Sequence, residues 1–477
     1  MKTPSRLAAL SLSSLSLLAV VGALASTTIA CGESSGTDDT SGTDSGVGAD
    51  AGSDATACSN EGTGSIAIVV SGLPDGFTPK GAITGPSGTA IDVTGPATLA
   101  DQPAGTYTVT AERVAKADPI VRTLYEPTVT SESFCLAGTQ TQTVTITYSE
   151  IASSNKLWAT NANNASGQLL AFAGADLTAT GAPAATVKTK GASGQGAHAG
   201  TAVAFDKDGN LWSLGATTAD ASLLRFAAAD LGASGDKTPD RKINPKLSGC
   251  SPGVTAIAFA PDGSLWSTVT CSDQILRLSP DTLSASKDYT PDAEDFATGA
   301  HNPRGIAFDK TGNMWVSDAT TIHLYPSASL APGQPHVPSF SINVKTASDA
   351  GVPPDALAFD KDGNLWVTSF GSNTIFKLTP DDLAPADTSK TVVPSISISI
   401  DVGALLESLA FDEGGGMWLT FGQGKLARLA PSQLGTSSDP GSPTAPETVI
   451  TSADIGAPGG LAFFPAPAAL PLYGRFE

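Results

Sequence analysis

Basic residues are scarce in this sequence of 477 residues. Lys and Arg together number 26 against 46 Asp and Glu, which gives a formal net charge of -20. Because nucleic acid and anionic surfaces repel such a chain, neither is expected as a partner. Charged residues make up only 15% of the chain while Gly alone contributes 50 residues, a composition that fits short strands joined by tight turns.

Long hydrophobic runs are also missing after residue 30. The apolar stretch 7–25 follows Lys2 and Arg6, is interrupted by serines and is too short to span a membrane. The sequence therefore predicts a signal peptide over residues 1–30. Residues 28–31, Thr-Ile-Ala-Cys, resemble the lipobox of bacterial lipoproteins, which implies lipidation of Cys31. In that family the Gly at position 32 favours the outer membrane, on its periplasmic or its outer face. The alternative is cleavage by the ordinary signal peptidase and a freely secreted protein.

Aromatic and basic residues are absent from the segment that follows the predicted lipidation site. Residues 31–57 consist almost entirely of Ser, Thr, Gly, Asp and Ala after the Cys. Such a segment cannot bury enough apolar surface to fold. We therefore expect a disordered acidic tether, with a root-mean-square reach of about 25 to 30 Å.

Cysteines are few, and none are spaced as Cys-x-x-Cys, so a zinc site is not expected. With Cys31 lipidated, four of the five cysteines remain. They permit three disulfide connectivities, of which we predict Cys58 with Cys135 and Cys250 with Cys271. Cys58 and Cys135 each precede a predicted strand, whereas Cys250 and Cys271 flank one predicted hairpin.

One motif repeats five times between residues 200 and 420. Its copies begin at residues 204, 258, 307, 358 and 410, and the copy at 358–366 reads Ala-Phe-Asp-Lys-Asp-Gly-Asn-Leu-Trp. An apolar strand, a polar turn with Gly and a second strand from Leu-Trp predict a β-hairpin. A third strand, such as 375–378, and a fourth, such as 396–400, follow it.

All six tryptophans occupy one position of this repeat, at intervals of 49 to 54 residues: Trp158, Trp212, Trp266, Trp315, Trp366 and Trp418. Four-stranded units at this period are typical of β-propeller blades. The segment 156–159 has no first strand before it and the strand 460–464 has no second strand after it, so together they should complete one blade. The sequence predicts an all-β protein with a six-bladed propeller over residues 150–477, in which each Trp and each motif Phe pack between blades.

A second β unit precedes this region. Alternating strands within residues 58–149, separated by Gly and Pro turns, predict a small antiparallel β-sandwich. Residues 104–109, Ala-Gly-Thr-Tyr-Thr-Val, resemble a strand of prealbumin-like and PEGA-like surface domains. The resemblance leaves two interpretations open, a spacer and a sugar- or peptide-binding module.

The hairpin motif resembles NHL-type propeller repeats. Residues 305–318, Gly-Ile-Ala-Phe-Asp-Lys-Thr-Gly-Asn-Met-Trp-Val-Ser-Asp, are also similar to repeats of streptogramin lyases and of the regucalcin/gluconolactonase family. The resemblance covers residues 156–465 and implies the fold, whereas propellers of this kind host enzymes, sensors and scaffolds. In these families ligands lie at the end of the channel where each innermost strand begins.

Candidate site residues follow from that position. Four residues before the motif Phe of each blade stand Thr201, Thr255, Arg304, Asp355, Glu407 and Gly459; seven before it stand His198 and His301. The candidate ligand-binding residues are therefore Arg304, Asp355, Glu407, His301 and His198.

Three classes of function remain open: a binding protein, an enzyme that acts at the channel mouth, and a structural envelope protein with no small ligand, which would have an empty channel with few functional residues. Resemblance to the gluconolactonases implies a divalent cation such as calcium at Asp355 and Glu407, but Arg304 would compete with it for the carboxylate. Neither a cofactor nor a catalytic residue is therefore predicted. We expect a monomeric, membrane-anchored binding protein whose partner is an envelope protein or a small molecule. The alternative is a lactonase-like, metal-dependent hydrolase, or a lyase with His301 or His198 as general base.

Overall fold

The computed structural model describes residue 58 and residues 61–161, 167–191, 202–217, 220–247, 254–369 and 371–473. In these ranges β-strands dominate, and helix is limited to single turns, so the predicted all-β class is confirmed. The predicted signal peptide, the tether with Cys31, and the residues His198 and Cys250 lie outside the described residues. No helix within the described ranges has the length and apolar character needed to cross a membrane.

Two sheets packed face to face form the N-terminal sandwich. Their strands are β1 (Thr63–Ser71), β2 (Lys80–Thr84), β3 (Ala90–Asp92), β4 (Ala97–Pro103), β5 (Gly105–Glu112), β6 (Val114–Lys116), β7 (Thr123–Val129), β8 (Ser133–Leu136) and β9 (Thr141–Glu150). One sheet has the order β4-β1-β9-β7-β6 and the other β3-β2-β5-β8. Alternate residues such as Ile66, Ile83 and Val144 point into the shared core. The β1–β9 pair is parallel and departs from the predicted antiparallel pattern, which the long connection between these strands permits.

A disulfide bond joins Cys58 to Cys135 across the sandwich, so this predicted pairing is confirmed. Cys135 lies in β8, and the bond therefore ties the first described residue to the edge of the smaller sheet. Cys271 is also disulfide-bonded, and Cys250, its predicted partner, lies outside the described residues.

The repeats form the remaining strands: β10 (Lys156–Asn161), β11 (Gln168–Ala173), β12 (Val187–Gly191), β13 (Val203–Phe205), β14 (Leu211–Thr217), β15 (Asp220–Phe226), β16 (Gly235–Lys237), β17 (Arg241–Pro245), β18 (Val254–Phe259), β19 (Leu265–Val269), β20 (Gln274–Leu278), β21 (Lys287–Tyr289), β22 (Phe296–Ala297), β23 (Ile306–Phe308), β24 (Met314–Ser317), β25 (Thr321–Tyr325), β26 (Phe340–Val344), β27 (Pro354–Phe359), β28 (Leu365–Ser369), β29 (Thr374–Leu378), β30 (Ser389–Val392), β31 (Ile396–Ser399), β32 (Leu406–Phe411), β33 (Met417–Phe421), β34 (Lys425–Leu429), β35 (Thr448–Ile450) and β36 (Pro458–Phe464). Two α-helical turns, α1 (Pro280–Leu283) and α2 (Pro380–Leu383), follow third strands. Single turns of 3-10 helix occur at Gly174–Leu177, Ala228–Asp230, Thr270–Ser272, Ala293–Asp295, Ser327–Leu330 and Pro431–Gly435.

These strands build sheets that we number as blades 1 to 6, written from the innermost strand outward: β36-β10-β11-β12-β16, β13-β14-β15-β17-β21, β18-β19-β20-β22, β23-β24-β25-β26-β30, β27-β28-β29-β31 and β32-β33-β34-β35. The fifth strands β16, β21 and β30 pair in parallel with β12, β17 and β26. Blade 1 joins the two ends of the repeat region, because β36 pairs antiparallel with β10 in the register Trp158 to Ala462. Each innermost strand contacts the next around the molecule, from β36 through β13, β18, β23, β27 and β32 back to β36. The described strands therefore enclose a central channel.

The motif aromatics pack between neighbouring blades. Trp366 of blade 5 meets Phe411 of blade 6 edge to face, with ring centroids 6.3 Å apart, and Trp315 meets Phe359 of blade 5 in the same way at 6.4 Å. In each pair the Phe is buried beside its partner Trp. The aromatic positions of the repeat thus form the contacts that hold adjacent blades together.

One connection of the sandwich inserts into the ring of blades. Ile120 and Val121 lie in a buried cluster with Leu157 of blade 1 and Trp418 of blade 6. Nearby, Arg122 forms an ion pair with Glu413, in which the Nε of Arg122 lies 3.2 Å from a carboxylate oxygen of Glu413. Residues 57–477 accordingly form one compact unit.

Candidate functional site

The central channel is mainly apolar and lined by a repeated residue. The Ala that precedes each motif Phe lines a cavity of about 490 Å³ and is half-buried, while the Phe, which the cavity also touches, is buried. This alternation follows from the two-residue period of a strand. The alanines are Ala204, Ala258, Ala307, Ala358, Ala410 and Ala462.

Residues 466–473 cover the end of the channel at which the innermost strands terminate. Leu470, Pro471 and Leu472 line the cavity from this side. Tyr473 packs against Phe308 with ring centroids 6.2 Å apart, and its hydroxyl donates a hydrogen bond of 2.7 Å to the carbonyl oxygen of Asp309. The cavity is therefore closed on one side by the segment that follows β36.

Three charged side chains lie at the opposite end, in three successive blades. Arg304, Asp355 and Glu407 all line the cavity, at the beginning of the innermost strands of blades 4, 5 and 6. We call these three residues the collar. The sequence predicted each of them as a site residue, and the structure brings them together.

The collar carries more negative than positive charge. A guanidinium nitrogen of Arg304 lies 3.9 Å from a carboxylate oxygen of Asp355, and both side chains are about one fifth exposed. Glu407 is more exposed and, among the described residues, its carboxylate has neither an ion pair nor a hydrogen bond. Asp355 therefore has a cationic neighbour 3.9 Å away, whereas the described residues supply none to Glu407.

The pKa values of both collar carboxyls are raised. Burial raises the pKa of Asp355, and the nearby guanidinium of Arg304 offsets only part of that increase. The pKa of Glu407 is raised mainly by partial burial of its carboxylate and further by the negative charge of Asp355. Both effects disfavour the ionised form, so the site favours a group that supplies positive charge.

Buried hydroxyls two residues after the motif Trp hold the collar backbone in place. Thr268 donates a hydrogen bond of 2.8 Å to the carbonyl oxygen of Arg304 in the next blade, and Ser317 donates to that of Asp355. Ser317 also accepts the amide of Gly305 at 2.8 Å. Sequence analysis missed these residues, although the recurrence of Ser or Thr at this position, in Thr160, Thr268, Ser317, Thr368 and Thr420, was a visible signal.

The other predicted positions contribute less to the cavity. Thr255 lines it, and its hydroxyl lies 2.8 Å from that of Thr268, whereas Gly459 offers only its backbone carbonyl, which accepts a bond from Thr420. His301 does not line the cavity: its side chain is 85% exposed, and one ring nitrogen lies 3.5 Å from the carboxylate of Asp273. His198 and Thr201 lie outside the described residues.

A Ser-His-Asp arrangement that the sequence did not reveal lies in the outer part of blade 4. His323 bonds through one ring nitrogen to the carboxylate of Asp318 at 2.7 Å and through the other to the hydroxyl of Ser341 at 2.9 Å. His323 and Asp318 are buried, and Ser341 sits inside the sheet, paired with strands on both sides. We interpret this arrangement as a structural bridge between strands, since Ser341 does not line the central channel.

The aspartate-rich turns of the repeat use their carboxylates internally. One oxygen of Asp360 accepts the amides of Asp362 and Asn364 at 2.9 Å, and the other accepts the indole nitrogen of Trp366 at 2.9 Å. These turns therefore close the hairpins, and their resemblance to a calcium loop is superficial. Among the described residues no group of three or more His, Cys, Asp and Glu side chains is placed to hold a metal ion.

Comparisons with known proteins assign no family. No family model matches the sequence, and no curated protein matches it. A solved structure of virginiamycin B lyase from Staphylococcus aureus shares 14% identity over 48% of this chain and 66% of that one, with a TM-score of 0.33. A protein of unknown function from Bacteroides caccae shares 12% over 62% and 98%, with a TM-score of 0.39.

A third solved structure, the glutaminyl cyclase of Myxococcus xanthus, shares 14% identity over 46% of this chain and 84% of that one, with a TM-score of 0.28. Likeness at this level carries no argument about activity.

Proposed function

We propose that this chain is a cell-envelope protein that binds a small ligand in its central channel, without catalysing a reaction on it. The observation that carries the proposal is a cavity of about 490 Å³ that residues 466–473 cover at one end and the collar lines at the other. A volume of this size suits a small molecule, and an apolar lining with a few convergent polar groups is typical of binding pockets.

The environment of the described histidines supports binding over catalysis. His323 and His336 are buried and use both ring nitrogens in hydrogen bonds within the fold. His301 lies outside the cavity. General base catalysis needs a base within hydrogen-bond reach of the bound substrate, and none of these three rings lines the cavity.

The ligand-binding proposal is tested by filling the channel. The substitution Ala358→Trp places an indole among the channel alanines, while Ala384→Trp places one at an exposed position after α2. Both variants and the unmodified protein are incubated with a mixture of small envelope metabolites and examined by native mass spectrometry. We expect ligand adducts on the unmodified protein and on Ala384→Trp, and none on Ala358→Trp. Adducts that persist on Ala358→Trp would contradict binding in the channel.

Membrane attachment through Cys31 belongs to the same proposal, and its support is the sequence of residues 28–31. Metabolic labelling with a palmitate analogue distinguishes a lipoprotein from a freely secreted protein. The label is applied to cells that express either the unmodified chain or Cys31→Ser. We expect label and detergent-dependent solubility only with Cys31 present. Equal labelling of both chains would overturn the lipoprotein assignment.

The metal-dependent hydrolase remains the second candidate, because raised carboxyl pKa values are also what acid-base chemistry uses. Its test is a metal analysis of the purified protein, before and after chelation, together with the double variant Asp355→Ala/Glu407→Ala. A stoichiometric divalent ion that the double variant loses would favour this candidate over the binding protein. We expect no such ion and no change of melting temperature with chelator.

A further inference from the structure

We propose that the channel binds an amphiphile with one positive charge, whose aliphatic chain occupies the alanine-lined channel and whose ammonium group lies between Asp355 and Glu407. The inference rests on the proposed binding function and specifies the chemical class of its ligand. It follows from the cavity, the distribution of charge at its two ends, and the lack of a cation beside Glu407 among the residues that the structure describes.

The shape of the channel favours an unbranched apolar chain. At the level of the motif Ala and Phe the lining residues are all apolar, so the channel wall there offers no hydrogen-bonding side chain. Leu470, Pro471 and Leu472 keep the covered end apolar as well. A polar molecule buried here would leave its donors and acceptors without hydrogen-bond partners, which is unfavourable, whereas each methylene group gains free energy on leaving water.

The charge of the collar selects the head group. With both carboxyls ionised, the collar has a formal charge of -1, because Arg304 neutralises only one of them. A carboxylate or phosphate ligand would meet two like charges and one guanidinium. A ligand ammonium beside Glu407 instead completes two ion pairs, Arg304 with Asp355 and the ligand with Glu407, and so lowers the raised pKa values of both carboxyls.

A monovalent organic cation fits the collar better than a metal ion does. Calcium takes six to eight oxygen ligands, while the collar offers the carboxylates of two residues, one of which lies next to a guanidinium. An ammonium group needs only two or three acceptors. Its attached chain also uses the apolar volume that a bare ion would leave empty.

Three probes with the same chain length test this inference: n-octylammonium, octan-1-ol and octanoate. Isothermal titration calorimetry at about pH 7 keeps the amine protonated and the acid ionised. We expect octylammonium to bind at least about tenfold more tightly than octan-1-ol, as one favourable charge pair of roughly 1.4 kcal/mol implies, and octanoate to bind more weakly than both.

Matched variants locate the head group. Glu407→Gln should remove most of the advantage of octylammonium over octan-1-ol while leaving the affinity for octan-1-ol unchanged, and Asp355→Asn should act in the same direction. The control Asp387→Asn changes the net charge equally at an exposed position after α2 and should change neither affinity. Equal binding of amine and alcohol, or an advantage that survives Glu407→Gln, would overturn the ammonium site and leave channel binding intact.

The same titrations distinguish failure of the inference from failure of the proposed function. If none of the three probes binds, or if Ala358→Trp does not weaken any of them, small-ligand binding in the channel is itself wrong. If octylammonium binds and calcium displaces it in proportion to its concentration, the collar is a metal site and the inference is also wrong. Both the proposed function and the ammonium site are supported if octylammonium binds, if Ala358→Trp abolishes that binding, and if calcium does not affect it.

Discussion

Trp366 has two structural roles: a hydrogen bond within its own blade and packing against the next blade. Its indole nitrogen donates to Asp360 within blade 5, and its ring packs edge to face on Phe411 of blade 6. Its position in the repeat predicted the second role, because a Trp that recurs once per blade must lie at equivalent contacts around the ring. The first role is visible only in the structure, since the sequence does not specify that the Asp360 carboxylate accepts both backbone amides of its turn and the indole nitrogen.

Replacing Trp366 by Ala should lower the free energy of unfolding by about 3 to 5 kcal/mol, because a large side chain is removed from a closed interface between blades. Chemical denaturation followed by circular dichroism measures the loss. An unchanged midpoint would contradict the packing of Trp366 between blades 5 and 6.

Trp158 provides a matched control for the hydrogen bond alone. Its indole nitrogen is buried, and no described group accepts its hydrogen, since the innermost strand of blade 1 ends at Phe464-Pro465 without the turn Asp. Trp366→Phe should therefore cost about 1 kcal/mol more than Trp158→Phe. Equal costs would show that the Asp–Trp bond contributes nothing to stability.

Asp318 should make the protein sensitive to acid. Burial acts to raise its pKa, but hydrogen bonds from His323 and from the amides of Thr320 and His301 outweigh it and lower the pKa from 3.8 to about 2. A lowered pKa stabilises the fold fully above about pH 4, and the contribution disappears as the pH falls through about 2. The shift corresponds to about 2 kcal/mol.

Asp318→Asn tests this dependence. Between about pH 5 and pH 2 the variant should lose about 2 kcal/mol less of its free energy of unfolding than the unmodified protein does. Urea titrations at a series of pH values measure the difference, with the exposed Asp387→Asn as control. Identical pH profiles for Asp318→Asn and the unmodified protein would exclude Asp318 as a source of acid sensitivity.

At the scale of the strand, the second strand of a blade pairs with the first and also forms side-chain hydrogen bonds to the next blade. In β24, Ser317 joins its own blade to the next by accepting from Gly305 and donating to Asp355. Successive blades are thus linked by hydrogen bonds at the same end as the collar. The position of Asp355 in the channel wall depends on this link.

Ser317→Ala should therefore cost about 1 to 3 kcal/mol of stability, because a buried amide and a buried carbonyl lose their shared partner. It should also weaken the binding of octylammonium, since the collar carboxylate shifts with its backbone. Ser339→Ala removes an exposed hydroxyl from the same blade and serves as control. A normal melting temperature and normal binding in Ser317→Ala would mean that the link between blades is dispensable.

Elements with a strict period were predictable and irregular segments were not. The hairpins followed from the alternation around Phe359 and from Gly363, which adopts a positive φ of 82° in its turn that residues other than Gly rarely adopt. Residues 466–473 have no period, and their place across the channel is set by contacts such as that of Tyr473 with Phe308. The collar followed from counting back from each Phe, whereas the exposure of His301 depends on a connection whose path the sequence does not specify.

At the scale of the whole molecule, the sandwich is part of the propeller's core. Ile120 and Val121 fill a cluster between blades 6 and 1, and the carbonyl oxygen of Pro119 accepts the amide of Gly414 at 2.8 Å. A passive spacer would not share a hydrophobic core with the domain it carries. This contact is the physical reason why the division into two regions, visible in the sequence, does not produce two independent bodies.

Removal of residues 58–149 should consequently destabilise the remaining ring. Its exposed apolar surface beside Leu157 and Trp418 favours aggregation, and we expect a melting temperature several degrees lower than that of the unshortened chain. Differential scanning calorimetry with static light scattering measures both effects. A shortened chain that melts like the full one and stays monodisperse would show that the inserted connection is not needed.

The closure of blade 1 has a consequence for the order of events during synthesis. Gly460 donates a hydrogen bond to Thr160 across 300 positions of sequence, so β10 is made long before its partner strand exists. Until β36 arrives, the growing chain exposes an unpaired strand edge, which in a nascent polypeptide invites pairing with other chains. The wall of blade 1 and the cover formed by residues 466–473 are then added together. A chain interrupted before residue 458 therefore lacks a complete ring and a closed pocket, so both appear at a single late step.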